Sequence, residues 1–367
     1  MRDSNHRKDT GKGQAIESGA APGFPILVQI AVRQGPISGI VASPDGTRLM
    51  VANYGRDSVS VIDTRACRVV QTVPGLDEPF ALAVGRRDTN RAYVSTVTPA
   101  YDSIAVIDLP TNTVIARHPL ALSVSDLAVS PDGNYVYASR DGAGGPDLVV
   151  LDIGTGRAEE IALPNRPGTT TECVRSSADG SRLYVATNGP GGGQLVVIDA
   201  HAPSRSRVLG TVEIGLPVRD VALSPNGAIA YVASCAPELG AVIDVVDTRT
   251  AKITGTSKIS EVGGILTGLT LSRDGDRAYL VSDDGVTVLS TLTHDVVGTI
   301  GVANQPSCVV ESVDARYLYI ADYSGTVTVA PVASAVALGD EAGSRHEGQT
   351  AAEWAVPELL LAEPALA

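Results

Sequence analysis

The chain has little of what usually carries catalysis or staples a small fold. Aromatic side chains make up 4% of its 367 residues, with one tryptophan, Trp354, and two phenylalanines. Any core must therefore be built from Val, Ile, Leu, Ala and Tyr. The four cysteines, Cys67, Cys173, Cys235 and Cys308, lie far apart with no CxxC spacing. That excludes a disulfide framework and a cysteine zinc site, and leaves reduced thiols. Five histidines are scattered through tails, outer strands and turns, with no HExxH motif, and no GxSxG elbow occurs. No metal-ligand set and no cofactor are expected. No apolar run is long enough to span a membrane, and the first residues, MRDSNHRKDTGKGQAIESG, lack the hydrophobic stretch of a secretory signal. The chain as given reads as cytoplasmic, export requiring an upstream segment. Positive charge is also short: 28 Lys and Arg stand against 41 Asp and Glu, a net charge of −13. An acidic body disfavours nucleic acid, whose phosphates call for a basic surface.

What is present is one sentence written seven times. Ser43 to Thr64 reads SPDGTRLMVANYGRDSVSVIDT. Ser43-Pro44-Asp45-Gly46 is a tight turn, Pro presetting φ and Gly supplying a positive one. Leu49–Ala52 is a short strand, Asn53–Asp57 a polar loop, and Ser58–Ile62 alternates as a half-buried strand does. Turns of this type recur at Asp45, near Arg87-Asp88, and at Asp132, Asp179, Asn226, Asp274 and Asp314, a spacing of 40 to 48 residues. Each is followed by a strand like LYVAN and then one like VSVIDT. Five of the latter end in an aspartate (Asp63, Asp108, Asp152, Asp199, Asp247), placed to cap the next turn. A fourth strand follows each, except in the seventh repeat.

Four antiparallel strands per repeat, without helical periodicity, describe a β-propeller blade. The fold class is all-β: a seven-bladed β-propeller of four-stranded antiparallel blades. The N-terminal strand Ile26–Val32 supplies the strand missing from blade seven and closes the ring, which removes exposed sheet edges. The propeller spans 25–337. Residues 1–24 read as a disordered segment, and 338–367 as an acidic flexible tail interrupted by Pro357. Two glycine-rich stretches, Gly142–Gly145 and Gly189–Gly193, are followed by strands, so they read as long hairpin connections and not as phosphate loops.

The pattern SPDG–YVAN–VSVIDT resembles the YVTN-repeat, YncE-like family of seven-bladed, WD40-like β-propellers. Repeat two departs with GRRDTN in place of SPDG, and repeats six and seven lack the closing aspartate. The resemblance implies a central channel with a ligand- or partner-facing surface. It carries no common catalytic motif.

Candidate site residues are those that break the repeat. The first strand of each blade lines a crowded centre and favours small side chains. One inward position reads Gly39, Ala81, Asp126, Cys173, Asp220, Gly268, Cys308; two residues on it reads Val41, Ala83, Ala128, Arg175, Ala222, Thr270, Val310. Asp126, Arg175 and Asp220 are charges on three neighbouring blades, to be hydrated or paired. They form either a structural ion pair or the floor of a binding funnel. Over them, the loops after the LYVAN strands place Asn53, Tyr54, Arg140, Asn188, Asp283, Asp322 and Tyr323 on one solvent-facing ring. The expectation is a monomeric, non-enzymatic binding or scaffold protein recognising a protein partner or small ligand there. The alternative is a propeller enzyme, a lactonase-like hydrolase or quinone-dependent oxidoreductase, using the same funnel.

Overall fold

The recurring turn is held by its own side chains. In the computed structural model, Ser43 Oγ donates to Asp45 Oδ1 at 2.6 Å and accepts from the Arg48 N–H at 3.0 Å. Asp45 Oδ1 takes the Thr47 N–H at 3.0 Å, and Gly46 sits at φ +72°. The same bonds recur around Asp132, Asp179, Asn226, Asp274 and Asp314. They hold the Asp179 carboxyl down at about 2, through the Ser177 hydroxyl first and then the Ser181 N–H. In blade seven the left-handed position is occupied by Ala315, φ +56°, in place of glycine. The five closing aspartates accept the N–H of Ala66, Thr111, Thr155, His201 and Thr250, which is the capping read from the sequence.

The structure describes residues 23–85, 90–121, 123–142, 144–201, 206–236 and 239–332. Among these, 28 strands form seven four-stranded antiparallel sheets. The inner strands are Ile37–Ala42, Leu82–Val84, Val124–Val129, Thr170–Ser176, Val218–Leu223, Leu266–Leu271 and Pro306–Glu311. Six sheets are consecutive in sequence. The seventh takes its outer strand, Val28–Ala31, from the other end of the chain, with Val28 opposite Val329 and Ala31 opposite Thr326. The ring is closed as expected.

The core lies between sheets. Met50, Val59 and Val61 of blade one pack on Ala92, Val94, Ala105 and Ile107 of blade two, and equivalent clusters fill the other gaps. Burying each Val, Ile or Met side chain there contributes about 1.5–3 kcal/mol. The repeat tyrosines Tyr93, Tyr184, Tyr231, Tyr279 and Tyr319 are all buried there.

The turn expected near Arg87-Asp88 and the acidic tail from 338 onward lie outside the described residues, as does nearly all of the segment 1–24. Its last residues are placed: the Phe24 N–H donates to Thr299 O at 2.9 Å on the outer strand of blade six. The glycine-rich stretches are neither phosphate loops nor long connections. They continue the sheet to closing pairs Gly142 with Gly145 and Gly189 with Gly192.

Candidate binding site in the central channel

The inner strands enclose a channel of about 880 Å³. An inner strand has one edge facing this space, and its N–H and C=O groups there have no strand to pair with. The charges on blades three, four and five supply the partners. Asp126 Oδ2 accepts the Val174 N–H of the next blade at 3.0 Å, and Asp220 Oδ2 accepts the Leu269 N–H at 2.9 Å. Arg175 lies between them. Its Nε donates to Val221 O at 2.8 Å and one terminal nitrogen to its neighbour Val174 O at 2.7 Å. It forms ion pairs with Asp126 and, at 2.5 Å, with Asp220. One network therefore links four consecutive blades, three through six.

The three side chains are 30% (Arg175), 20% (Asp126) and 15% (Asp220) exposed, so channel water reaches them. Burial works against the guanidinium charge, yet Asp220 and Asp126 hold Arg175 well above its ordinary value. Burial pushes the Asp220 carboxyl up, against the pull of Arg175 and the Leu269 N–H. The three charges singled out in the sequence are in mutual contact through Arg175. The guanidinium, both Asp220 oxygens and Asp126 Oδ2 are engaged within the protein.

The expected rim needs correction. Asn53, Arg140 and Asp322 do not face solvent: they are buried at 0%, 4% and 3% exposure. Arg140 still lies in the ladder, opposite Asp147, because its strand runs on to Gly142. It makes two 2.8 Å bonds to Asp147 and an ion pair to Glu160. Asn53 donates to Ser58 Oγ and Ser60 Oγ, and Asp322 accepts the Ser324 and Thr326 N–H groups, folding its own loop. Asp283 is half-buried and accepts the Ile265 N–H at 3.3 Å. Tyr54 and Tyr323 are exposed as expected. Asn188 is half-buried and bridges two blades: its Oδ1 accepts the Val218 N–H, and its Nδ2 donates to Glu172 Oε1, both at 2.8 Å.

The residues that line the mouth are others. Six of the seven inner strands carry a one-residue bulge just above the small inward position, at Ser38, Ser125, Glu172, Arg219, Thr267 and Ser307. A bulge re-aims a side chain out of the pleat, and all six line the channel. Phe80, 43% exposed, takes the equivalent place in blade two. The sequence did hold a signal: these six positions, each just before the inward one, are all polar. No spacing rule announced the bulge, since one extra residue mimics a simple phase change of the strand.

Ser38 donates to Pro79 O at 2.8 Å, and Ser125 shares a 2.8 Å bond with Thr171, each reaching the next blade. Burial pushes the Glu172 carboxyl up; Asn188 and Arg219 pull it back. Arg219 is exposed, and its Nε meets Cys235 Sγ at 3.3 Å, the main cause of its raised value. Among the described residues there is no group of three or more His, Cys, Asp or Glu arranged to hold a metal ion. No helix there is long and apolar enough to cross a membrane.

Fold and channel together define a seven-bladed β-propeller protein. The chain belongs to the family of the seven-bladed beta-propeller protein Rv1057 of Mycobacterium tuberculosis. It is 53% identical to that protein over 386 aligned positions covering 98% of each chain. No family model matches it. Among solved structures, hydrazine synthase of Kuenenia stuttgartiensis superposes with a TM-score of 0.72 over 88% of this chain and 99% of that one. At 22% identity that likeness shows the fold alone.

Proposed function

We propose that this is a non-enzymatic binding or scaffold protein of the YVTN-repeat kind, which takes a small ligand or a protein partner at the mouth of its channel. One observation carries the reading. The floor charges Asp126, Arg175 and Asp220 are spent on each other and on backbone groups, whereas the bulges turn a separate ring of polar side chains into the opening. Rigid strands that present variable side chains at one opening suit recognition.

The test is a thermal-shift panel of amino acids, carboxylic acids, sugars and nucleotides on the full chain, run beside a plugged variant, Ser125→Trp. Compounds that raise Tm in the parent but not in the equally stable plugged protein support the reading. Stabilisation that survives the plug places binding elsewhere and overturns it.

A further inference from the structure

The mouth holds two opposite charges on adjacent blades that are not spent on each other. Glu172 and Arg219 are close enough for each to shift the other's proton affinity, yet no ion pair joins them. Glu172 is tethered through one oxygen only, Oε1, by Asn188 at 2.8 Å. Asn188 is in turn clamped to the backbone of Val218, the residue before Arg219. Arg219 is tethered through Nε alone, on Cys235. Among the described residues its two terminal nitrogens and the second Glu172 oxygen have no hydrogen-bond partner. A guanidinium with two free N–H edges suits a carboxylate, and a free carboxylate oxygen suits an ammonium. Around the ring stand the hydroxyls of Ser125, Thr267 and Ser307, and the exposed apolar face of Phe80 from blade two. Seven blades in a ring put blade two on the far side of the channel from blade five.

We propose that the mouth binds a small zwitterion with an apolar body, of the apolar α-amino acid class. Its carboxylate lies on Arg219, its ammonium on Glu172, and its side chain toward Phe80. This rests on the channel mouth being the binding site. A simple anion would leave Glu172 facing it with like charge, and a simple amine would leave Arg219 repelling it; only a ligand carrying both charges satisfies both residues. The backbone-anchored Asn188 keeps the carboxylate from collapsing onto Arg219, so the gap persists without ligand.

The probe is L-phenylalanine, titrated calorimetrically into the full chain, with N-acetyl-L-phenylalanine and L-phenylalaninamide as ligands missing one charge. The expected result is saturable binding of phenylalanine and at least tenfold weaker binding of both derivatives. Arg219→Met and Glu172→Gln should each weaken phenylalanine at least tenfold with an unchanged melting temperature. Arg219→Met should bind the amide equally well or more tightly, because that ligand lacks the group Arg219 holds and is freed from its repulsion. If neither L-phenylalanine nor L-leucine binds, while another class in the panel binds and is blocked by Ser125→Trp, the zwitterion assignment fails and the mouth remains a binding site. Phenylalanine binding that is indifferent to Arg219→Met, or that persists in the plugged variant, overturns the assignment as well.

Discussion

Removing Arg175 tests whether the channel network stabilises the ring. Arg175→Met keeps the length of the side chain and deletes the guanidinium. Four acceptors lose a donor: the carbonyls of Val221 and Val174, and the carboxylates of Asp126 and Asp220. Breaking a buried ion pair by removing one partner costs about 3–5 kcal/mol, chiefly through the charge left behind. Here the side chains are 15–30% exposed to channel water, which screens them and moves the expectation to the lower end, about 3 kcal/mol. The aspartates then face each other without a cation, and burial already pushes Asp220 up. Without the cation the Asp220 carboxyl rises further above its unfolded value, so the folded variant binds more protons than the unfolded chain. The penalty is full once both are ionised and is relieved as pH falls from about 7 to about 5. Wild type, in which Arg175 pulls Asp220 back down, should show a smaller relief. Urea titrations at both pH values measure it, with an unchanged m-value as the sign that only stability moved. Asp126→Asn and Asp220→Asn in the Arg175→Met background should recover most of the loss, since replacing a whole buried charge group is often near neutral. A loss under about 1 kcal/mol, or one independent of pH, refutes the network as a brace.

Three further outcomes are expected. Deleting residues 1–32 strips Val28–Ala31 from blade seven, bares the edge of Thr326–Pro331, and should cost several kcal/mol; a chemical melt matching that of a chain lacking only residues 1–22 would sink the closure argument. Ala315→Gly relieves the left-handed turn of blade seven at φ +56° and should raise stability by about 0.5–1 kcal/mol, whereas a drop in the melting temperature would show the turn unstrained. Arg277 is 9% exposed, with a terminal nitrogen that has no hydrogen-bond partner among the described residues. Arg277→Met should therefore be neutral or stabilising by about 1–3 kcal/mol, and a loss above 1 kcal/mol in the same melts would mean that its charge is satisfied after all.

Repetition made most of this fold legible. Ser-Pro-Asp-Gly turns, Tyr-Val strands and closing aspartates act within a few residues of themselves, through bonds such as Ser43 to Asp45 and Asp63 to the Ala66 N–H. Seven copies of such a unit, the last short of one strand, leave a ring closed by the N-terminal strand as the economical arrangement. Position along the inner strand was enough to gather Asp126, Arg175 and Asp220. What needed the tertiary structure was direction. Whether Arg140 meets solvent or Asp147 depends on where its strand stops, and the strand runs past it because Gly142 can pair with Gly145. Whether Glu172 and Arg219 lie in the pleat or in the channel depends on a one-residue bulge. The sequence by itself determined the blades and their number, because those follow from local bonds and a period. Only the assembled ring decided which side chains face the channel mouth, because that is set by the packing of blade on blade.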